Sequence, residues 1–154
     1  MMKKTARGFT LIELLVTMSI IGILFGIGFA KYNEFNRRQI LAQAAQELKN
    51  NLRFAQAKAL AGEKPSGCGS TSLSGHRLKF AVDNKNYKIV AVCGSEVDVK
   101  TGLSLGLNVS KVSGPSSILF KVLAQGVEGA GIITLRFSGV DDETVTVTKT
   151  GDIK

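Results

Sequence analysis

A chain of 154 residues, 44% hydrophobic and 21% charged, is long enough for one small domain with a modest core and too short for a large multidomain protein. Its formal charge of +8 suits nucleic acid, anionic lipid head groups or a polyanionic wall and singles out none of them. One histidine and two cysteines leave no CxxC pair, no zinc-like spacing and no nucleophile and base pattern, so neither an enzyme nor a bound cofactor is expected.

The first eight residues carry Lys3, Lys4 and Arg7 and no acid. Residues 9–30 follow as an apolar run whose only polar side chains, Met aside, are Thr10, Glu13, Thr17 and Ser19. As a helix, at ~1.5 Å per residue, this run reaches about 33 Å, against roughly 30 Å for a bilayer's hydrocarbon core. It can therefore span a membrane, and the basic flank ahead of it holds the N-terminus in the cytoplasm. Glu13 is the exception to its apolar character. An unpaired carboxylate near the bilayer centre costs on the order of 2.5 to 3.5 kcal/mol, so Glu13 needs a partner unless it snorkels or is protonated, as in a plain membrane anchor. Gly22, Gly26 and Gly28 lower helix propensity, and they serve either close helix approach or local unwinding.

Beyond residue 30 the pattern turns amphipathic with no proline or glycine until Gly62. Leu41, Leu48, Leu52, Ala55 and Ala59 form one apolar stripe, while Arg37, Arg38, Gln43, Lys49, Asn50 and Gln56 face outward. One helix is predicted over residues 10–61, with Gly62 as terminator and Pro65 just past the end. Residues 64–75 are Gly- and Ser-rich and read as a loop. A hairpin follows, residues 77–82 and 87–93 around the turn Asp83-Asn84-Lys85-Asn86. Further strands are expected over residues 103–109, 118–123, 132–137 and 144–149, while the rest of residues 95–115 gives no assignment. The expected architecture is α+β: a long N-terminal helix, membrane half plus amphipathic half, laid on one antiparallel sheet of five to seven short strands. His76 reads as an ordinary strand-edge residue. Asp83 with its asparagines and Asp141-Asp142-Glu143 read as solvated turns, with calcium as the less favoured alternative.

The hexapeptide Gly8-Phe9-Thr10-Leu11-Ile12-Glu13, with cations upstream and its small residue before the apolar run, resembles the class III signal of type IV prepilins and pseudopilins. The resemblance implies that a prepilin peptidase cuts between Gly8 and Phe9, that the new Phe9 amine is methylated, and that the apolar helix is retained. Residues 1–8 would then be a cytoplasmic leader, 9–30 a transmembrane and assembly helix, and 31–154 an extracytoplasmic pilin-like domain. Removing the leader lowers the formal charge to +5. The resemblance further implies that Glu13 pairs with the Phe9 amine of a neighbouring subunit, a buried ion pair that sets register more than stability.

Residues 48–60, which include Leu48, Leu52, Arg53, Ala55 and Ala59, are similar to the helix signature of GspH/FimT-type minor pseudopilins, and residues 118–153 resemble that group's C-terminal half. The function so implied is a structural minor pilin or pseudopilin of the inner membrane, assembled into a type IV pilus or a type II secretion pseudopilus. Its partners would be the peptidase, other pilins in a helical filament, the inner-membrane assembly platform and membrane lipid. Two alternatives stay open. One is a minor pilin that binds DNA for natural transformation, although a tail of Lys149-Thr150-Gly151-Asp152-Ile153-Lys154 offers few clustered cations; the other is a major subunit, although Ala30 stands where major pilins usually carry proline. The same topology puts Cys68 and Cys93 outside the cytoplasm, where a disulfide persists; two buried thiols are the alternative.

Overall fold

A computed structural model describes residues 8–154, leaving the side chains of residues 27–30 aside. The basic flank Lys3, Lys4 and Arg7 and the expectations attached to Gly28 and Ala30 fall outside the described residues. Internal contacts divide the chain into two units, Met1–Asn36 and Arg37–Lys154.

One helix, α1 (Leu11–Leu60), supplies most of the described part of the first unit and the opening of the second. It is long and apolar enough, by length and composition, to cross a membrane. Its large apolar side chains from Leu11 to Phe25 are all more than half exposed, so none of the described residues covers them. The other end of α1 stops by an identifiable device. Gly62 takes φ +60, its N–H donates to the Ala59 carbonyl at 3.1 Å, and the Glu63 N–H donates to the Lys58 carbonyl at 3.1 Å. That double closure around a left-handed glycine is a Schellman cap, and it accounts for the stop that the sequence pattern anticipates.

Within the second unit, the stripe Leu41, Leu48, Leu52, Ala55 and Ala59 is buried. It packs on eight strands: β1 (Gly75–Phe80), β2 (Asn86–Cys93), β3 (Ser95–Ser104), β4 (Val109–Ser113), β5 (Ser117–Lys121), β6 (Val127–Glu128), β7 (Gly131–Phe137) and β8 (Glu143–Val147). These form two antiparallel sheets where one was expected, ordered β3-β2-β1-β5-β6 and β4-β7-β8. Leu78, Ile89 and Ile118 from the first sheet and Ile133, Leu135 and Val145 from the second join the helix stripe in a single core. The fold is α+β, a long helix on antiparallel sheets.

Several strand boundaries differ from the pattern reading. The first hairpin begins at Gly75, where an added Cβ would lie 2.1 Å from the Phe120 carbonyl oxygen; only glycine lets β5 come that close. Its outer end stops at Phe80, and Val82 is fully exposed in the turn. Residues 103–109 are not a strand. They cover the end of β3, a turn in which Gly106 and Asn108 have φ +93 and +63, and the first residue of β4. The expectation of a strand over residues 118–123 is cut at Lys121 by a 3-10 turn, Val122–Ala124, in which Leu123 and Ala124 both take left-handed φ. The two-residue β6 was not anticipated. At the end of the chain, Ile153 bridges Val147, and the Thr146 and Lys154 backbones exchange two bonds of 3.0 Å, so residues 152–154 are laced to β8.

His76 overturns its sequence reading. It lies on β1, the central strand of the first sheet, and is 1% exposed. The residues facing it across the sheet are Ala91 and Phe120, and central position in the strand order, not local sequence, determines its burial.

Candidate functional site

The hexapeptide that carries the resemblance forms the start of α1. Thr10 Oγ1 accepts from the Glu13 N–H at 3.3 Å, and the Thr10 carbonyl accepts from the Leu14 N–H at 3.2 Å. Thr-Leu-Ile-Glu thus has the spacing of a capping box, with threonine as the N-cap and glutamate at the third helical position. The sequence reading missed this second role of the motif, although the T-x-x-E spacing was visible.

The hydroxyls farther along the apolar stretch satisfy themselves. Thr17 Oγ1 donates to the Leu14 carbonyl at 2.9 Å, and Ser19 Oγ donates to the Leu15 carbonyl at 2.8 Å. Both bonds run back within the helix, which hides the polar atoms from an apolar surrounding. The Glu13 carboxylate has no partner among the described residues. Gly8 precedes the helix, Phe9 is 80% exposed, and an added Cβ at Gly8, Gly22 or Gly26 meets nothing within 4 Å. None of these glycines is needed for packing among the described residues.

Cys68 and Cys93 are joined by a disulfide with their Cα atoms 5.7 Å apart. The bridge is buried with Ala91, against Leu73, Val97 and Val99, and ties the 3-10 turn Ser66–Cys68 to the end of β2. A second tie was not foreseen. Asn51 of α1, a buried polar residue, donates from Nδ2 to the Tyr87 hydroxyl at 2.9 Å and accepts from Lys100 Nζ at 2.9 Å. Burial pushes the Tyr87 phenol up to about 12, with the Asn51 bond opposing the shift. Phe54, one turn on, has the Lys58 and Lys100 ammonium groups each 5.5 Å from its ring centre.

The acidic turns are occupied by their own neighbours. Asp83 accepts from the Lys85 and Asn86 N–H groups at 3.0 and 3.1 Å, which holds its carboxyl below the ordinary carboxylate range. Asp142 takes a bidentate pair from Arg136 at 2.8 and 2.7 Å, and Asp141 lies 3.7 Å from Arg38. Among the described residues no group of three or more His, Cys, Asp or Glu side chains could hold a metal ion. The outer face of the first sheet is a lattice of ion pairs: Arg77 and Lys79 with Glu96, Lys88 with Asp98, and Lys121 with Glu128.

The geometry at the helix start defines a class: an exposed apolar helix, capped at Thr10, with one unpartnered acid beside a small-to-aromatic junction. Residues 3–29 match the prokaryotic N-terminal methylation motif, so this segment is type IV prepilin-like. The chain is also similar to two fimbrial proteins of Pseudomonas aeruginosa, at 34% identity over 61 residues, which is 40% of this chain and 40% of each relative. The match thus spans well under half of the relatives' length. No solved structure matches the chain.

Proposed function

We propose that this chain is a structural, non-catalytic subunit of a type IV pilus or related pseudopilus. A prepilin peptidase cuts it between Gly8 and Phe9, its apolar helix holds it in the inner membrane with residues 31–154 outside the cytoplasm, and it then passes into a filament of like helices. The observation that carries this reading is Glu13: the one polar group in the capped apolar helix start with no partner among the described residues, inside a segment matching the methylation motif. An amine on a neighbouring copy of the same helix supplies the missing charge, and breaking such a buried pair is expensive.

Within that class we favour a minor subunit of the GspH/FimT type. The support is the similarity of residues 48–60, whose stripe Leu48, Leu52, Ala55 and Ala59 is buried on the sheets. The DNA-binding alternative finds little support in a C-terminal segment laced to β8, with Asp152 between its two lysines.

Replacing Glu13 by Ala is expected to leave a processed, membrane-held protein that fails to enter filaments. Mass spectrometry of purified filaments should find a methylated peptide beginning at Phe9 in the parent and none in the variant. Efficient incorporation of the variant, or a native protein that keeps its first eight residues, refutes the reading.

A further inference from the structure

His76 is the most buried polar side chain of the described chain, at 1% exposed, and neither ring nitrogen has a hydrogen-bond partner. Buried polar groups are nearly always bonded, so an orphan of this kind calls for an explanation. Its strand neighbours are Ala91 of β2 and Phe120 of β5, which offer no polar side-chain atom. The nearby charged groups are Lys58, in the last turn of α1, and Glu63, just past the Schellman cap, and these two pair with each other. The ring thus lies within electrostatic reach of the junction between helix end and loop. That loop, residues 62–74, is pinned by the cap at one end and by the Cys68–Cys93 bridge within it.

We propose that His76 is an acid-sensitive latch: neutral, it seals the end of α1 onto the first sheet, and protonated, it is driven out toward Glu63 and frees residues 62–74. An imidazolium needs two acceptors where the ring has none, and the carboxylate whose charge acts on it, Glu63, is the one whose partner, Lys58, is released in the exchange. Desolvation lowers the His76 pKa in the closed form, with Glu63 raising it and Lys58 lowering it by smaller amounts. The latch is independent of the assembly reading.

Because His76 is the only histidine, its imidazole signals are unambiguous in a full-length, untagged protein held in detergent micelles. The titration midpoint of the imidazole is expected below 6.5, the ordinary value. Hydrogen exchange of residues 62–74, corrected for intrinsic rates, is expected to accelerate as pH falls below about 6.5, by up to about tenfold per pH unit between the open and closed midpoints. His76→Leu should abolish the acceleration, and Glu63→Gln should weaken it. A midpoint at or above 6.5, acceleration retained in His76→Leu, or acceleration spread equally over β7 and β8 overturns the proposal. Should His76→Leu fail to fold, the midpoint and the location of the exchange in the parent protein still decide it.

Discussion

Asn51 holds together three elements with one amide. Its Nδ2 bonds the Tyr87 hydroxyl on β2, its Oδ1 takes the Lys100 ammonium on β3, and its backbone belongs to α1. Replacing Asn51 by Ala strands a buried phenol, a cost of about 1 to 3 kcal/mol. The Asn51→Ala, Tyr87→Phe double variant removes both partners and should recover part of that loss, as chemical denaturation midpoints would report. His76 and Glu96 show how the sign of a pH effect follows from the group. The folded state favours neutral His76, so the unfolded chain takes up the proton first, and stability is lost as pH falls below 6.5. Glu96 is held below its ordinary 4.5 by Lys79 first and then by Arg77; its contribution persists above 4.5 and is lost only at more acid pH, as the folded value is crossed. The two losses begin at different pH, near 6.5 and below 4.5, and His76→Leu should remove only the first.

At the scale of the element, α1 contains two kinds of apolar residue that composition alone does not distinguish. Leu48 is fully buried against both sheets, whereas Leu60 is 48% exposed. Leu48→Ala is therefore expected to cost about 2 to 5 kcal/mol, and Leu60→Ala within about 0.5 kcal/mol of nothing, measured by thermal or denaturant unfolding. This distinction was legible, because the stripe at Leu41, Leu48, Leu52, Ala55 and Ala59 repeats with the helix period. So were the first hairpin and the last, whose turns carry the expected Asp, Asn and Gly. What escaped the sequence reading is what local pattern does not encode. β3 alternates Glu96 and Asp98 with Val97 and Val99, and an edge strand whose outer face is charged looks like a loop when its partner is unknown. β6 is too short to show any period. The division into two sheets, and with it the burial of His76, depends on strand order and hence on contacts between distant residues. The start of α1 was legible as a signal but not as a cap, because both readings use the same threonine and glutamate.

At the scale of the whole chain, the second unit is closed by one covalent tie. A disulfide joining residues 25 apart stabilises by about 3.5 kcal/mol in the chain-entropy account. Cys68→Ser with Cys93→Ser should lower the unfolding free energy by about that much, with the loss confined to residues 37–154. The helical signal of the apolar segment in detergent should stay unchanged, since Leu11 to Phe25 are exposed and draw nothing from the bridge. A loss of both together would mean that the two units fold as one.

The Thr10 hydroxyl on the Glu13 amide has one further consequence. It fixes the first coiled residue at Leu11, two positions beyond the Gly8-Phe9 bond, so that bond lies ahead of the cap. The scission proposed for that bond would leave the spiral as long as before and change only its tip, where a fresh ammonium would arrive at the positive pole of the peptide dipoles. That charge is disfavoured by its own coil by roughly 0.3 to 1 kcal/mol, and adding a methyl group does not remove it. On the proposed reading, trimming would act as a chemical signal and not a conformational one: it would create a cation that gains by leaving its own helix end for a carboxylate on another molecule.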